Sequence, residues 1–244
     1  MFYIKIKGFM SKLALISDVH GNLPALEAVL KELDERSPDQ WLCLGDVVGY
    51  GPFPSECIDL MRERDIPVVM GNHDAGVSGE LTIRHFKDPN RKLITLTQEI
   101  LTEDQINWLR NLPYTIVDEE QDWLAVHANP RAPKKWEYVD SAIKARMMLA
   151  EIKEKLCFVG HTHIPGIVSD QIGVMDFNEE HKYLINPGSV GQSRDGDFRA
   201  SCCIIDLERW KIEILRVEYP IEKVLTGLYK LGFSRAEAHR LLRY

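Results

Sequence analysis

No stretch of this chain approaches the ~18 consecutive apolar residues of a membrane-spanning helix. The opening Met-Phe-Tyr-Ile-Lys-Ile-Lys also lacks the apolar centre and cleavage site of a secretory signal. A helical membrane protein is excluded on the first ground, and the cytoplasm is the expected compartment. Cysteine is scarce and unpatterned: Cys43, Cys57, Cys157 and the adjacent Cys202 and Cys203 make no Cys-x-x-Cys pair and no regular framework. That excludes a disulfide scaffold and leaves reduced core thiols. Positive charge is in deficit, with 30 Lys and Arg against 37 Asp and Glu and a net charge of −7. Such a balance argues against a general affinity for nucleic-acid backbones or acidic membranes, and no basic groove that would track a strand is visible. An anionic substrate would therefore need a local positive centre. Repeats, low-complexity tracts and composition breaks are absent as well, so residues 1–244 read as a single domain. Met10 offers an alternative start, which makes residues 1–9 a candidate extension.

What is present is 45% apolar residues over 244 positions, enough for one large core. Lys12 to Ile16 is short and apolar, as a strand buried on both faces should be. Pro24 follows in a helical first turn, with Leu23, Leu26, Val29, Leu30 and Leu33 on one face. The pattern repeats through a strand at Trp41–Leu44, a helix from Pro54 to Arg64 and a third strand at Ile66–Met70, implying parallel strands with helical crossovers. Residues 75–111 change to polar helical segments, capped at Thr102 with Gln105 three residues on. A hairpin is expected from Tyr114–Val117 and Trp123–Val126 around an acidic turn. A helix should run from about Val139 to Lys155 and a strand from Leu156 to Val159. Short strands are expected near Gly166–Val168, Ile172–Met175 and Lys182–Ile185, then an antiparallel pair at Ser201–Asp206 and Trp210–Val217. Two helices, in residues 219–244, close the chain; they are expected to pack on the domain, with a homodimer contact as the alternative.

Five of these strands end in polar groups of one kind. They are Asp18 and His20, then Asp46, Asn72 with His73, His127, and His161 with His163. In an extended chain Asp18 and His20 share one face, ~6.5 Å apart at ~3.3 Å per residue. Ligands of open α/β sheets sit outside the carboxyl ends of strands, so the five ends should meet in one crevice. Nitrogen and oxygen donors without a thiolate suit Mn²⁺, Fe or Zn²⁺ better than a structural zinc cluster. The donors are too many for one ion, and two ions need a shared ligand, which an aspartate with two oxygens can be. A pair of ions ~3.5–4 Å apart points to in-line displacement at phosphorus by a deprotonated bridging water. Two dications would also answer the charge deficit.

Asp18-Val19-His20, Gly45-Asp46, Gly71-Asn72-His73-Asp74, His127 and Gly160-His161-Thr162-His163, in this order over most of the chain, resemble the signature of calcineurin-like metallophosphoesterases. The likeness is greatest to the prokaryotic single-domain branch, which shares the Asn186-Pro187-Gly188-Ser189-Val190-Gly191 loop. The resemblance implies a four-layer α/β/β/α sandwich of two mixed sheets flanked by helices. It implies one metal on Asp18, His20, Asp46 and His163, the other on Asp46, Asn72, His127 and His161, and Asp46 between them. His73 would be the general acid, a role that an ordinary histidine pKa of about 6.5 suits. The implied cofactors are two divalent ions, Mn²⁺ first and Fe or Zn²⁺ next. The implied substrate is a small phosphomonoester or phosphodiester, with dinucleoside polyphosphates and phosphoproteins as alternatives and a non-catalytic, partner-binding scaffold as the reading from another class. Members acting on phosphoproteins or dinucleoside tetraphosphates typically read Gly-Asp-x-x-Asp-Arg-Gly, whereas this chain has Gly49 and Tyr50 where that Asp and phosphate-gripping Arg would stand. Candidate substrate contacts are Asn72, Tyr50, Arg131, with Lys134 and Lys135 beside it, and Arg194, for which a surface pair with a neighbouring Asp is the alternative. His85, His181 and His239 lie away from strand ends and read as surface residues.

Overall fold

The computed structural model describes residues 2–3, 12–86 and 90–242. Apart from Phe2–Tyr3, which form β1, the candidate extension lies outside the described residues. Two sheets face each other. The smaller has the order β10 (Lys211–Val217), β9 (Ala200–Asp206), β2 (Lys12–Ile16), β3 (Gln40–Cys43). β2 runs parallel to β3, with Leu15 opposite Leu42, and antiparallel to β9. The larger has the order β1, β4 (Thr115–Asp118), β5 (Trp123–Val126), β6 (Leu156–Phe158), β8 (Tyr183–Asn186), β7 (Gly166–Ser169). Both are mixed, because β5, β6 and β8 are parallel while the β4–β5 and β7–β8 pairs are antiparallel.

Alternation along the strands sorts the side chains into layers. Leu13 and Leu15 of β2 point into the space between the sheets, where they join Trp123, Phe158 and Ile185 in one apolar cluster. Ala14 and Ile16 point the other way, onto α1 (Leu23–Asp34) and α2 (Pro54–Glu63), through Leu26, Val29, Ile58 and Met61. On the larger sheet Leu124, Val126 and Cys157 turn outward onto α6 (Ala142–Leu149). The result is helix, sheet, sheet, helix, as the motif resemblance implied. All five cysteines are buried and unpaired.

The excursion comprises α3 (Asn72–Ser78), a single 3-10 turn at Ile83–His85, α4 (Asn90–Ile100) and α5 (Glu103–Arg110). Thr102 and Gln105 form the expected reciprocal cap, at 3.3 and 3.1 Å. The Gln105 amide also donates to Asp59 of α2 at 2.8 Å, fixing the excursion against the smaller sheet's helices. At the end of the chain, α7 (Ile221–Lys230) and α8 (Arg235–Leu242) pack on Tyr50 and on Leu93 of α4.

Three expected elements differ. Ile66–Met70 makes a single parallel bridge, Val68 to Cys43, instead of a strand; Pro67 offers a carbonyl to Cys43 at 2.9 Å but no N–H to continue a ladder. The helix expected over 139–155 is confined to Ala142–Leu149, starting at Ser141, whose hydroxyl accepts the Lys144 N–H at 3.3 Å. Ile172–Met175 is a turn, with Met175 91% exposed; apolar residues in an open turn look the same, in sequence, as a short strand.

Candidate metal centre

The carboxyl ends of β2 and β3 from one sheet and of β5 and β6 from the other open on the same crevice. Asp18 and His20 follow β2, Asp46 follows β3, His127 follows β5, His161 and His163 follow β6, and Asn72 and His73 begin α3. Asp18 and His20 both face the crevice, but not through strand alternation. The strand ends at Ile16, and Asp18 and His20 sit in left-handed backbone at φ 53° and 51°, as do Asp46, His161 and His163 at 53°, 66° and 60°. Bonds between the loops hold these shapes: the Asp18 N–H donates to the Gly45 carbonyl at 3.0 Å, the His20 N–H to that of Asp46 at 2.9 Å, and the Gly160 N–H to that of His127 at 2.8 Å. The Asn186–Gly191 loop is part of the bracing. Ser189 Oγ donates to the Asp18 carbonyl and Asn186 Nδ2 to the Gly160 carbonyl, both at 2.8 Å.

Each histidine at the centre has one ring nitrogen committed to a backbone carbonyl, which fixes its tautomer. Nδ1 of His20, His127 and His163 donates to the carbonyls of Val48, Leu44 and Gln192 at 3.2, 2.6 and 2.5 Å. His161 is the reverse, its Nε2 donating to the Trp136 carbonyl at 3.0 Å. The remaining nitrogens converge in two pairs: His20 Nε2 and His163 Nε2 are 3.1 Å apart, and so are His127 Nε2 and His161 Nδ1. At this distance each pair can share a proton or converge on a cation, and ~2.1 Å metal–nitrogen bonds would fit the span.

The carboxylates complete the two half-shells. Asp18 Oδ2 accepts from Ser17 Oγ at 2.6 Å and from the His161 N–H at 3.0 Å, while its buried Oδ1 has no hydrogen-bond partner and lies 3.3 Å from His163 Nε2. Asp46 Oδ1 accepts the His73 N–H at 2.8 Å. Its Oδ2 faces both halves, 3.7 Å from His20 Nε2 and 3.4 Å from His127 Nε2. If Asp46 holds two ions, Oδ2 is the oxygen that faces both sets of donors. Asn72 Oδ1 is also buried without a hydrogen-bond partner.

Burial opposes ionisation of Asp18 and Asp46, yet the His163 and His127 rings hold both carboxyls below the ordinary range. Burial likewise opposes charge on His127, but Asp46 and Asp18 raise it to about 9. Burial lowers His20, and lowers His161 to about 3 with the help of His127. Two ionised carboxylates drawing a proton onto one ring form a site that a dication would satisfy.

Residues 11–209 match the calcineurin-like phosphoesterase superfamily domain. The chain belongs to that superfamily. It is a phosphoesterase, a hydrolase of a metal-dependent family. A metallophosphoesterase from Sphaerobacter thermophilus has the same architecture, with a TM-score of 0.81 at 36% identity over 96% of this chain and 98% of that one. An uncharacterized protein of Methanocaldococcus jannaschii is 40% identical over 90% of this chain and 93% of its own length. A symmetrical bis(5'-nucleosyl)-tetraphosphatase of Salmonella paratyphi C is 32% identical, but over 47% of this chain and 42% of that enzyme.

Within the family signature the departure is at Gly49, whose φ is +147°. A Cβ there would lie 2.3 Å from His20 Nδ1 and 3.1 Å from His73 Nδ1, so the ring of His20 occupies the space a carboxylate would need. His73 Nδ1 is buried and unpartnered as a result. The ring is held instead by aromatic neighbours, Tyr50 at 4.9 Å and Phe86 at 5.4 Å between centroids. Burial pushes His73 down to about 4 against the pull of Asp46, so the premise of an ordinary histidine near 6.5 does not hold.

His73, Asn72 and Asp46 line a cleft of about 810 Å³ with Tyr50 and Arg194 on one side and Lys134, Lys135, Trp136 and Tyr138 on the other. Arg131 is not among the residues lining the cleft; its Nε pairs with Glu151 at 2.6 Å. His181 pairs with Asp170 at 3.2 Å, outside the centre, and His239 sits on α8. Sequence reasoning passed over Asp74, although it stands in the quoted Gly-Asn-His-Asp motif. Fully buried, it accepts N–H bonds from Asp46, Gly71 and Val48 at 2.7, 3.0 and 3.3 Å. It also passed over Tyr138, which stacks on His161 at 4.2 Å and 18°.

Proposed function

We propose that this protein hydrolyses phosphoester bonds of small, nucleotide-type substrates with two divalent ions, Mn²⁺ being the first candidate. Asp18, His20, Asp46 and His163 would hold one ion, and Asp46, Asn72, His127 and His161 the other. The observation that carries the reading is the pair of half-shells meeting at Asp46 Oδ2. When bound, the ions supply positive charge to the phosphoryl oxygens and lower the pKa of a shared water into the neutral range.

The chain's own residues supply the rest. The backbone carbonyls behind each imidazole keep the donor atoms aimed inward, so little reorganisation accompanies the reaction. His73, neutral and fixed by its aromatic neighbours, offers an N–H to the leaving-group oxygen as a hydrogen-bond donor. Across the cleft the ring of Tyr138, 45% exposed, and the ammonium groups of Lys134 and Lys135 suit a base and a further phosphate. The kinship with a dinucleoside tetraphosphatase favours the same substrate class.

Metal-reconstituted protein should be assayed on p-nitrophenyl mono- and diesters, cyclic nucleotides and dinucleoside tetraphosphates with Mn²⁺. The expected result is turnover that disappears with chelator and returns with metal. A metal-replete protein inert on every one of these esters would refute the reading and favour the partner-binding scaffold.

A further inference from the structure

The resemblance expects a phosphate-gripping arginine at the position of Tyr50, and the structure brings an arginine to the same place from another segment. The Tyr50 ring packs against His20 and His73, at 4.5 and 4.9 Å between centroids. Its hydroxyl accepts from Arg194 Nη2 at 3.2 Å and from Asn90 Nδ2 at 3.3 Å. Arg194 Nε and Nη2 also both donate to Gln192 Oε1, at 3.2 and 3.1 Å. Both hydrogens of Nη2 are thereby used, and the two on Nη1 make no bond among the described residues.

Among the described residues no carboxylate pairs with this guanidinium. The acidic neighbours that might have done so are taken: Asp195 by Ser193 and Arg216, and Asp197 by Arg199. Among the described residues Arg194 makes no ion pair, although it is partly buried and lines the cleft with Asp46, Asn72 and His73. A fixed, uncompensated guanidinium fork beside a metal centre is suited to a phosphoryl oxygen.

The fork is held from deep in the fold. Gln192 is buried; its Nε2 donates to the Leu241 carbonyl in α8, and its own carbonyl accepts Nδ1 of the metal-centre histidine His163 at 2.5 Å. The Arg194 N–H donates to the His163 carbonyl at 3.3 Å. One short segment therefore sets both a metal-centre ring and the guanidinium, and the last helix backs it.

We propose that Arg194 is the anion anchor of this site, binding a non-bridging phosphoryl oxygen of the substrate in place of an arginine at position 50. Tyr50 and Gln192 are its positioning residues. The proposal rests on the phosphoesterase reading above, and its test is chosen to stand without turnover. Binding of inorganic phosphate to Mn²⁺-loaded protein should be measured by calorimetry for the parent, Arg194→Gln, Arg194→Lys and Tyr50→Phe, with metal content and Tm recorded. Arg194→Gln is expected to weaken phosphate on the order of 10- to 100-fold, as loss of charge-assisted bonds implies, with metals and Tm unchanged. Arg194→Lys should recover part of that loss, and Tyr50→Phe should weaken phosphate by a few-fold. If esters are turned over, the loss in Arg194→Gln should fall on KM more than on kcat. Phosphate affinity of Arg194→Gln within twofold of the parent overturns the anchor, whether or not any ester is hydrolysed. Unchanged affinity in Tyr50→Phe overturns the positioning role of its hydroxyl.

Discussion

The backbone N–H of His73 donates to Oδ1 of Asp46 at 2.8 Å, which leaves Oδ2 alone to face His20 on one side and His127 on the other. The first turn of α3 thus fixes how the shared carboxylate is presented. Asp46→Asn keeps the shape but removes the charge, and it can place an NH₂ where a cation should bind. Turnover is expected to fall on the order of a thousandfold or more, as removal of a dominant electrostatic group does. Metal retained after desalting should drop with it. Full activity in Asp46→Asn would show that the two half-shells do not share this oxygen.

Asp74 is expected to matter nearly as much, without touching any ion. Its carboxylate collects N–H bonds from Asp46, Gly71 and Val48, joining the loop after β3 to the start of α3. Burial and the neighbouring Asp46 push its pKa up to about 7, and the Gly71 and Val48 N–H bonds pull the other way. Asp74→Ala would leave those donors buried and unmet, which costs about 3–5 kcal/mol in a network of this kind. Chemical denaturation should show that loss, and metal retention should fall because Asp46 is no longer held. Asp74→Asn, which keeps an acceptor, should cost less. A cost below about 1 kcal/mol for Asp74→Ala would mean the brace is dispensable.

Gly49 tests whether the chain departs from the family signature by necessity. A Cβ there would lie 2.3 Å from His20 Nδ1, at a φ of +147° that side chains rarely adopt. Gly49→Asp restores the residue expected by resemblance, yet here it should displace His20 and weaken metal binding on the order of 10- to 100-fold, as misplacing a ligand does. Gly49→Ala should show most of the same defect, since the clash begins at Cβ. Better activity in Gly49→Asp, measured on any aryl phosphate ester, would contradict the geometry.

Much of this was legible in the sequence because it rests on local pattern. Apolar strands with polar ends, the Pro24 helix and the Thr102–Gln105 cap are each set by residues within a few positions of one another. The ligand candidates were legible because Asp, Asn and His recur at five strand ends, where any single polar end would be ordinary. What stayed hidden depends on contacts between distant segments. Neither the left-handed backbone at Asp18 and His20 nor the commitment of one Asp46 oxygen to His73 leaves a trace in spacing. Arg131 and Arg194 look alike in sequence, each in a polar loop near a motif. Glu151 takes the first, and among the described residues no carboxylate pairs with the second. The strand expected at Ile66–Met70 was lost to Pro67, a donor-less residue whose cost shows only when the partner strand is known.

Metal removal should destabilise the fold as well as silence it. Asp18, His20, Asp46, His161 and His163 all occupy left-handed backbone, a region that costs about 1–2 kcal/mol per residue outside glycine. They also bring two buried carboxylates together, with Asp18 Oδ1 lacking any partner. Bound cations would relieve the charge and lock the loops, and a ligand at a thousandfold excess over Kd adds about 4 kcal/mol to the folded state. For a chain of this size that corresponds to roughly 8–16 °C in Tm. Scanning fluorimetry with Mn²⁺ and with a chelator should show a shift of that order, reversed when metal is restored. Asp46→Asn, with one shared oxygen gone, should show a smaller one. Identical melting of the parent with and without chelator, after metal content has been verified, would mean that the strained loops are stable by themselves and that no ion is built into this crevice.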